Sequence, residues 1–312
     1  MSAATAAPAS LTTALINAVL AIKPIAQLAK HQARTLMVKR AEQIGVPWRQ
    51  HVQELRALGD ETWAAALAAV QTPNLSYPDY YLTSFHAYDE GNMGWQPAME
   101  VEVAARAVHA RIWPEAGAAG DSRLRQSYHQ VLTAQIPTPP ATIVDLGCGV
   151  GMSTIALQET YPDADITGVD LSPYFLAIAH QQHQQRPRPI TWVHAAAEAT
   201  GLPTAAYDLV SACLVFHELP AQAAIAILQE AQRLVRPGGH VAIMDMNPRS
   251  AVFASLPPYV FTLLKSTEPY LDEYFSLDLE TAIAAAGFQS PIVLCNSPRH
   301  RTLIAQKTQN PS

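Results

Sequence analysis

The chain has 312 residues, of which 49% are hydrophobic and 15% charged, and a formal net charge of −6 at neutral pH. That composition describes a packed α/β globule rather than a disordered chain, and an acidic balance without long basic runs argues against a surface built to neutralise nucleic-acid phosphates. Three cysteines, Cys148, Cys213 and Cys295, are too few and too far apart for a disulfide framework or a zinc site, which predicts a reducing, cytoplasmic setting.

No cationic residue precedes the apolar part of the N-terminal stretch, and Asn17, Lys23 and Pro24 interrupt it, so neither a secretory signal nor a transmembrane segment is expected. From Leu11 to about Val70 the apolar residues recur at helical spacing, broken at Pro24 and at Gly45-Val46-Pro47, which predicts an all-helical N-terminal extension of two or three helices. The stretch from Thr72 to Pro97 is rich in aromatics, prolines and turn residues and reads as a long connection ordered by packing. Helical spacing returns from Ala98 to Trp113 and from Asp121 to Gln135, and IPTPPAT forms a joint. The expected division is therefore a helical region over 1–135, with the aromatic connection as a substrate cap, and a second domain over 136–312 with a lid insertion at about 250–280.

After the joint, β-rich runs alternate with helical ones: TIVDLG, MSTIALQETY, ADITGVDL, PYFLAIAHQQHQQ and ITWVHA. YDLVSACLVFHE, the helix AQAAIAILQEAQRLV, a PGG turn into HVAIMDM, and the late strands PIVLCNS and RTLIAQK follow. This alternation predicts an α/β fold with a doubly wound, Rossmann-like parallel sheet.

VDLGCGVG is a strand running into a glycine-rich turn and a helix, the parts of a nucleotide cradle. Its spacing departs from the dinucleotide fingerprint, which would place a glycine where Met152 stands. Asp145 at the strand end would repel a pyrophosphate and pair with an ammonium group. Asp170, ending the next strand, stands at the distance in sequence from which an acid accepts hydrogen bonds from ribose hydroxyls. A nucleoside with an amino-acid tail answers both acids.

The ordered set VDLGCGVG, GVDLS, YDLV and RLVRPGGHVAIMD, over roughly Thr142 to Met246, resembles the class I S-adenosylmethionine-dependent methyltransferases. SACLVFHELP resembles their small-molecule branch, which includes ubiquinone and menaquinone methyltransferases, and the run from TLLKSTEPYLDEYF to SPRHRT resembles uncharacterised cyanobacterial and chloroplast methyltransferases. The resemblance implies that S-adenosyl-L-methionine is the cofactor and S-adenosyl-L-homocysteine the product. Asp145, Gly147, Cys148 and Gly149 would border its methionine end, and Gly151 would open the helix. Asp170 would hold the ribose and Leu171 would lie against the adenine. Ala196 stands where the family usually carries an acid, leaving the backbone near Ala197 and the Glu198 side chain to read the base. Cys213 and Leu214 would face the cofactor.

For the acceptor side, His217 has two readings, a catalytic base or orienting group and a packing histidine at a helix start. Tyr81, His86, Tyr88 and Trp95 on the aromatic connection, with Glu268, Tyr270 and Tyr274 near the lid, are candidate substrate-binding residues, against the plain alternative of packing and solvated charge. No metal cluster is expected. The leading function is methyl transfer to an oxygen, nitrogen or carbon of a small molecule. The alternatives are a non-catalytic S-adenosylmethionine-binding scaffold and a protein or RNA methyltransferase, the latter opposed by SACL where an NPPY-type tetrapeptide would stand.

Overall fold

In the computed structural model, residues 23–86, 88–265 and 267–308 are described. The stretch from Leu11 to Ile22 of the expected helical extension lies outside them. Three helices come first, α1 (Lys23–Gln43), α2 (Trp48–Ala57) and α3 (Asp60–Val70), followed after the aromatic connection by α4 (Trp95–His109) and α5 (Gly120–Gln135). The second half alternates β1 (Thr142–Leu146), α6 (Met152–Thr160), β2 (Asp165–Asp170), α7 (Pro173–His183), β3 (Thr191–His194), β4 (Tyr207–Cys213), α8 (Ala221–Leu234) and β5 (Val235–Met246). Short helices α9 (Ala251–Ala254), α10 (Pro258–Lys265), α11 (Leu271–Ser276) and α12 (Leu279–Ala285) precede β6 (Ile292–Cys295) and β7 (His300–Gln306).

The strands form one seven-stranded sheet in the order β3-β2-β1-β4-β5-β7-β6. Strands β1 to β5 pair in parallel, whereas β7 runs antiparallel to both β5 and β6, so the sheet is mixed rather than wholly parallel as expected. The PGG sequence also lies inside β5, not in a turn before it, and the register with β4 shifts between Tyr207 and Leu209 to absorb the glycines.

Period-two alternation loads the two faces of the central strands. On β5, Val241 and Ile243 join α8 and α12 on one side, while Ala242 and Met244 join α5 and α6 on the other. The side chains of Leu124, Tyr128 and Leu132 put α5 directly on the sheet. Each fully buried aliphatic side chain contributes about 1.5–3 kcal/mol, so this sandwich holds the strand ends rigidly. Sequence also sets the helix starts: Ser172 accepts the Phe175 N–H with Pro173 in the first turn of α7, and Asp278 accepts the Thr281 N–H at α12.

The N-terminal helices share their core with the sheet layer. Leu55, Trp63, Ala66, Ala98 and Met99 pack with Phe175, Ala177 and Ile178 of α7. From α3 the chain crosses the C-terminal ends of β2 and β3 as a strap, residues 71–94. Thr72 N–H donates to His194 Nδ1 (2.9 Å), Tyr80 Oη to Glu198 Oε1 (2.7 Å), and Ser172 Oγ to Asn92 O (2.6 Å). Among the described residues no helix is long and apolar enough to cross a membrane.

Candidate active site

β1 delivers the chain into a loop whose three glycines all take positive φ, +68° at Gly147, +55° at Gly149 and +89° at Gly151, before α6 begins. The N–H groups of Gly147 and Cys148 donate to Val169 O (2.8 and 3.0 Å), pinning the loop to β2. A β-carbon on Gly147 would lie 2.5 Å from Val215 Cγ2, and one on Gly151 2.8 Å from Trp192 Cη2. At Gly149 the nearest atom would be Phe175 Cδ2 at 3.9 Å, so this glycine alone leaves open space over its backbone. Cys148 is buried, and burial with the charges of Asp170 and Asp145 pushes its thiol well up, away from thiolate chemistry.

Asp145 is fully buried. Its Oδ2 accepts from Ser153 and Thr154 of α6, both at 2.7 Å, while Oδ1 accepts no hydrogen bond. Burial raises its pKa, and the two hydroxyls and Arg125 oppose the rise. Asp170 accepts the N–H groups of Gly149 (2.8 Å) and Ser172 (2.7 Å), and burial carries it up to about 6 against those bonds. The Tyr81 hydroxyl stands beside this carboxylate and also faces Glu218. Leu171 is buried, and its carbonyl lies 3.1 Å from His194 Nε2. Glu198 meets Tyr80 through Oε1, and its buried Oε2 accepts nothing; Ala197 is partly buried beside it.

Arg125 on α5 escaped the sequence reading. Its Nε and Nη2 donate to Asp121 (3.0 and 3.4 Å), whose Oδ1 lies 2.6 Å from His109 Nδ1. The remaining N–H groups face sulfur, Nη1 on Cys213 Sγ and Nη2 on Met152 Sδ, both at 3.7 Å. Thiol and thioether sulfurs are weak acceptors, so a guanidinium only 11% exposed retains donor capacity at the mouth of the glycine loop. Leu214, next to Cys213, takes φ +61° and donates its N–H to Met244 O (2.8 Å).

On the other side of Leu214 lies a group of acids and imidazoles. His217 stands in a 3₁₀ turn, with Nδ1 2.7 Å from Asp245 Oδ1 and its backbone N–H on Asp245 Oδ2 (3.2 Å). Burial alone would push the imidazole down, but Asp245, Glu218 and Glu268 overturn that and carry it up to about 10. It is therefore not a free-pKa base at neutral pH. Glu218 Oε1 lies 4.0 Å from His217 Nε2 and 3.6 Å from His86 Nε2, and the same His86 nitrogen is 2.9 Å from Glu268 Oε1. Burial raises Glu218 to about 7 even against the two imidazoles, which pull it down.

Of the other expected substrate residues, Tyr270 meets Tyr80 of the strap edge-on with centroids 6.3 Å apart. Tyr274 is buried in the core and donates to Met246 O (2.6 Å). Tyr88 donates to Glu100 Oε2 (2.6 Å), which Arg34 also pairs, and Trp95 packs on Trp63 and Tyr174; these two belong to the helical layer. Among the described residues no group of three or more His, Cys, Asp or Glu is placed to hold a metal.

In its 3-2-1-4-5-7-6 order with an antiparallel β7, its glycine loop after β1 and the acid ending β2, the second half of the chain is similar to class I S-adenosylmethionine-dependent methyltransferases. Residues 143–239 match the family model described as a methyltransferase domain. Trans-aconitate 2-methyltransferase of Azoarcus sp. (strain BH72) is 42% identical over 113 residues, covering 36% of this chain and 42% of that protein. Demethylmenaquinone methyltransferase of Thermus thermophilus is 30% identical over 109 residues, covering 35% and 49%. The chain thus spans less than half the length of these two curated relatives. In fold, the chain is similar to the CurJ carbon methyltransferase (TM-score 0.53, 14% identity, 84% of this chain and 71% of that one). It is likewise similar to Haemonchus contortus phosphoethanolamine N-methyltransferase 2 (TM-score 0.52, 14% identity, 71% and 62%).

Proposed function

We propose that this chain transfers a methyl group from S-adenosyl-L-methionine to a small-molecule acceptor. One observation carries the reading: a buried acid and a buried guanidinium flank the glycine loop, each with unused hydrogen-bonding capacity. An α-amino acid end, ammonium and carboxylate together, complements that pair. Asp145 would take the ammonium, Arg125 the carboxylate, and the open backbone at Gly149 would let the ligand approach. Asp170 would hold the ribose hydroxyls, with Leu171, Ala197 and Glu198 around the base and Cys213 and Leu214 along the other wall.

The cofactor supplies an already activated methyl group, so the chain's own task is to align the acceptor, exclude water and manage one proton. The helical region over 1–135 and the strap would cap the acceptor, with the segment at about 250–280 closing the opposite side. His217, held by Asp245 and carrying charge, would orient the acceptor rather than take its proton. The curated relatives named for trans-aconitate and demethylmenaquinone act on small molecules, which supports that acceptor class.

The test is transfer of labelled methyl from S-adenosylmethionine into a host-cell extract, separated into small-molecule, lipid-soluble and macromolecular fractions, with Asp145→Ala as control. Label in the first two fractions is expected. Label confined to protein or RNA would overturn the small-molecule reading, and tight cofactor binding with no label in any fraction would favour a non-catalytic scaffold.

A further inference from the structure

The group around His217 sets three carboxylates, Asp245, Glu218 and Glu268, against two imidazoles, His217 and His86. His217 is committed to Asp245, which lies fully buried at the end of β5. That leaves one imidazole, His86, between two glutamates, Glu218 and Glu268. Among the described residues neither glutamate pairs with a lysine or arginine. Glu268 Oε2 is buried and accepts no hydrogen bond, although its side chain is only 12% exposed. An acceptor oxygen left dry without a donor is destabilising, more so when charged, so the arrangement is incomplete as it stands.

The place of this group is also specific. Glu218 and Asp170 both face the Tyr81 hydroxyl, so the glutamates lie next to the acid expected at the ribose. The Tyr274 ring lies 6.5 Å from the His217 ring, and His86 is fixed in this group by its backbone N–H on Thr267 O (3.0 Å) with φ at +47°.

We infer that the methyl acceptor is an amine, seated on Glu218 and Glu268, rather than a carboxylate or a neutral hydroxyl compound. This rests on the methyltransferase reading. A carboxylate acceptor would add a third negative charge beside the two glutamates, and a neutral alcohol would leave the excess charge in place. An ammonium supplies both the missing cation and the missing donors. The amine arrives protonated and passes one proton to a Glu218 carboxylate oxygen. Its freed lone pair then forms the C–N bond while the C–S bond of the donor breaks. The electron pair of that bond stays on sulfur, leaving a neutral thioether, and the positive charge passes to the methylated ammonium. Glu218 afterwards returns its proton to water.

The test is calorimetric and needs no turnover. With S-adenosylhomocysteine saturating, benzylamine, benzyl alcohol and benzoate are titrated into the full chain, then into Glu268→Gln and Glu218→Gln. Benzylamine is expected to bind at least tenfold more tightly than either other probe, and each Gln variant is expected to lose at least tenfold for benzylamine alone, with S-adenosylhomocysteine affinity unchanged. Preference for benzoate or benzyl alcohol, binding of none of the three, or insensitivity to both variants would overturn the amine assignment and leave the methyltransferase reading intact. Failure of S-adenosylhomocysteine itself to bind would instead overturn that reading, and the amine assignment with it.

Discussion

Replacing Gly149 by alanine separates the loop's role in folding from its role in binding. The added methyl would have Phe175 Cδ2 at 3.9 Å as its nearest neighbour, which is ordinary contact, so packing contributes no penalty. What remains is backbone strain. At φ +55° an L-residue costs about 1–2 kcal/mol relative to glycine, and the loss of glycine's freedom in the unfolded chain returns about 0.4–1 kcal/mol. The net is about 0–1.6 kcal/mol, at most roughly 3 °C in melting temperature for a chain of this size. The same methyl enters the space through which a ligand would approach the loop, and overpacking a snug contact costs about 1–3 kcal/mol, or roughly ten- to hundredfold in affinity. Thermal melting and calorimetry with S-adenosylhomocysteine read the two effects independently. Affinity within threefold of the parent would refute the placement of the ligand over Gly149. A fall in melting temperature beyond about 6 °C would refute the claim that the space is open.

Asp170, raised to about 6 by burial against its bonds to Ser172 and Gly149, makes cofactor affinity depend on pH. Its folded pKa lies above the ordinary value of 3.8, so the native state binds the extra proton between those pH values and stability declines as pH rises through that window. Ribose hydroxyls need the ionised form, so S-adenosylhomocysteine should bind about tenfold more weakly at pH 5 than at pH 7.5 by calorimetry, and Asp170→Asn should flatten that difference. Arg125→Lys keeps a cation beside Asp121 but loses the fork that reaches Cys213 and Met152. It is expected to weaken S-adenosylhomocysteine about tenfold, ~1.4 kcal/mol, and to leave adenosine, which has no amino-acid tail, unchanged. Asp245→Asn strips the partner from a buried imidazole and should cost about 3–5 kcal/mol in denaturant unfolding. Its His217 resonances should titrate far below their position in the parent by NMR.

The cradle was legible because its chemistry is local. Three glycines, Asp145 and the opening of α6 lie within a dozen residues, and Asp170 follows at a spacing fixed by one helix and one strand. Arg125 was not, because it sits one element before the first strand and reaches the loop only when α5 lies down on the sheet. Glu218 stood in the quoted HELP sequence, yet its setting depends on Asp245 at the end of β5 and on His86 in the strap. The aromatic connection was read as ordered by packing, and its hydrogen bonds to His194, Glu198 and Ser172 show what orders it. Tyr88 and Trp95 illustrate the limit of that signal, since aromatic content marked the segment without saying which rings turn toward the helices. The antiparallel β7 was likewise invisible, because a short apolar strand carries no mark of its direction.

The strap has a consequence for how kinship over part of a chain transfers meaning. Its partners are remote in sequence, 122 residues from Thr72 to His194, 118 from Tyr80 to Glu198 and 190 from Tyr80 to Tyr270. Contacts closed over more than a third of the chain carry a large loop-closure entropy and form only once the sheet exists to receive them. The span matched by the methyltransferase model, residues 143–239, contains Glu218 and His217 but neither His86 nor Glu268. Selection can therefore rewrite the wall around the reacting group through segments at either end of the chain, without altering a residue of the part by which relatives are found.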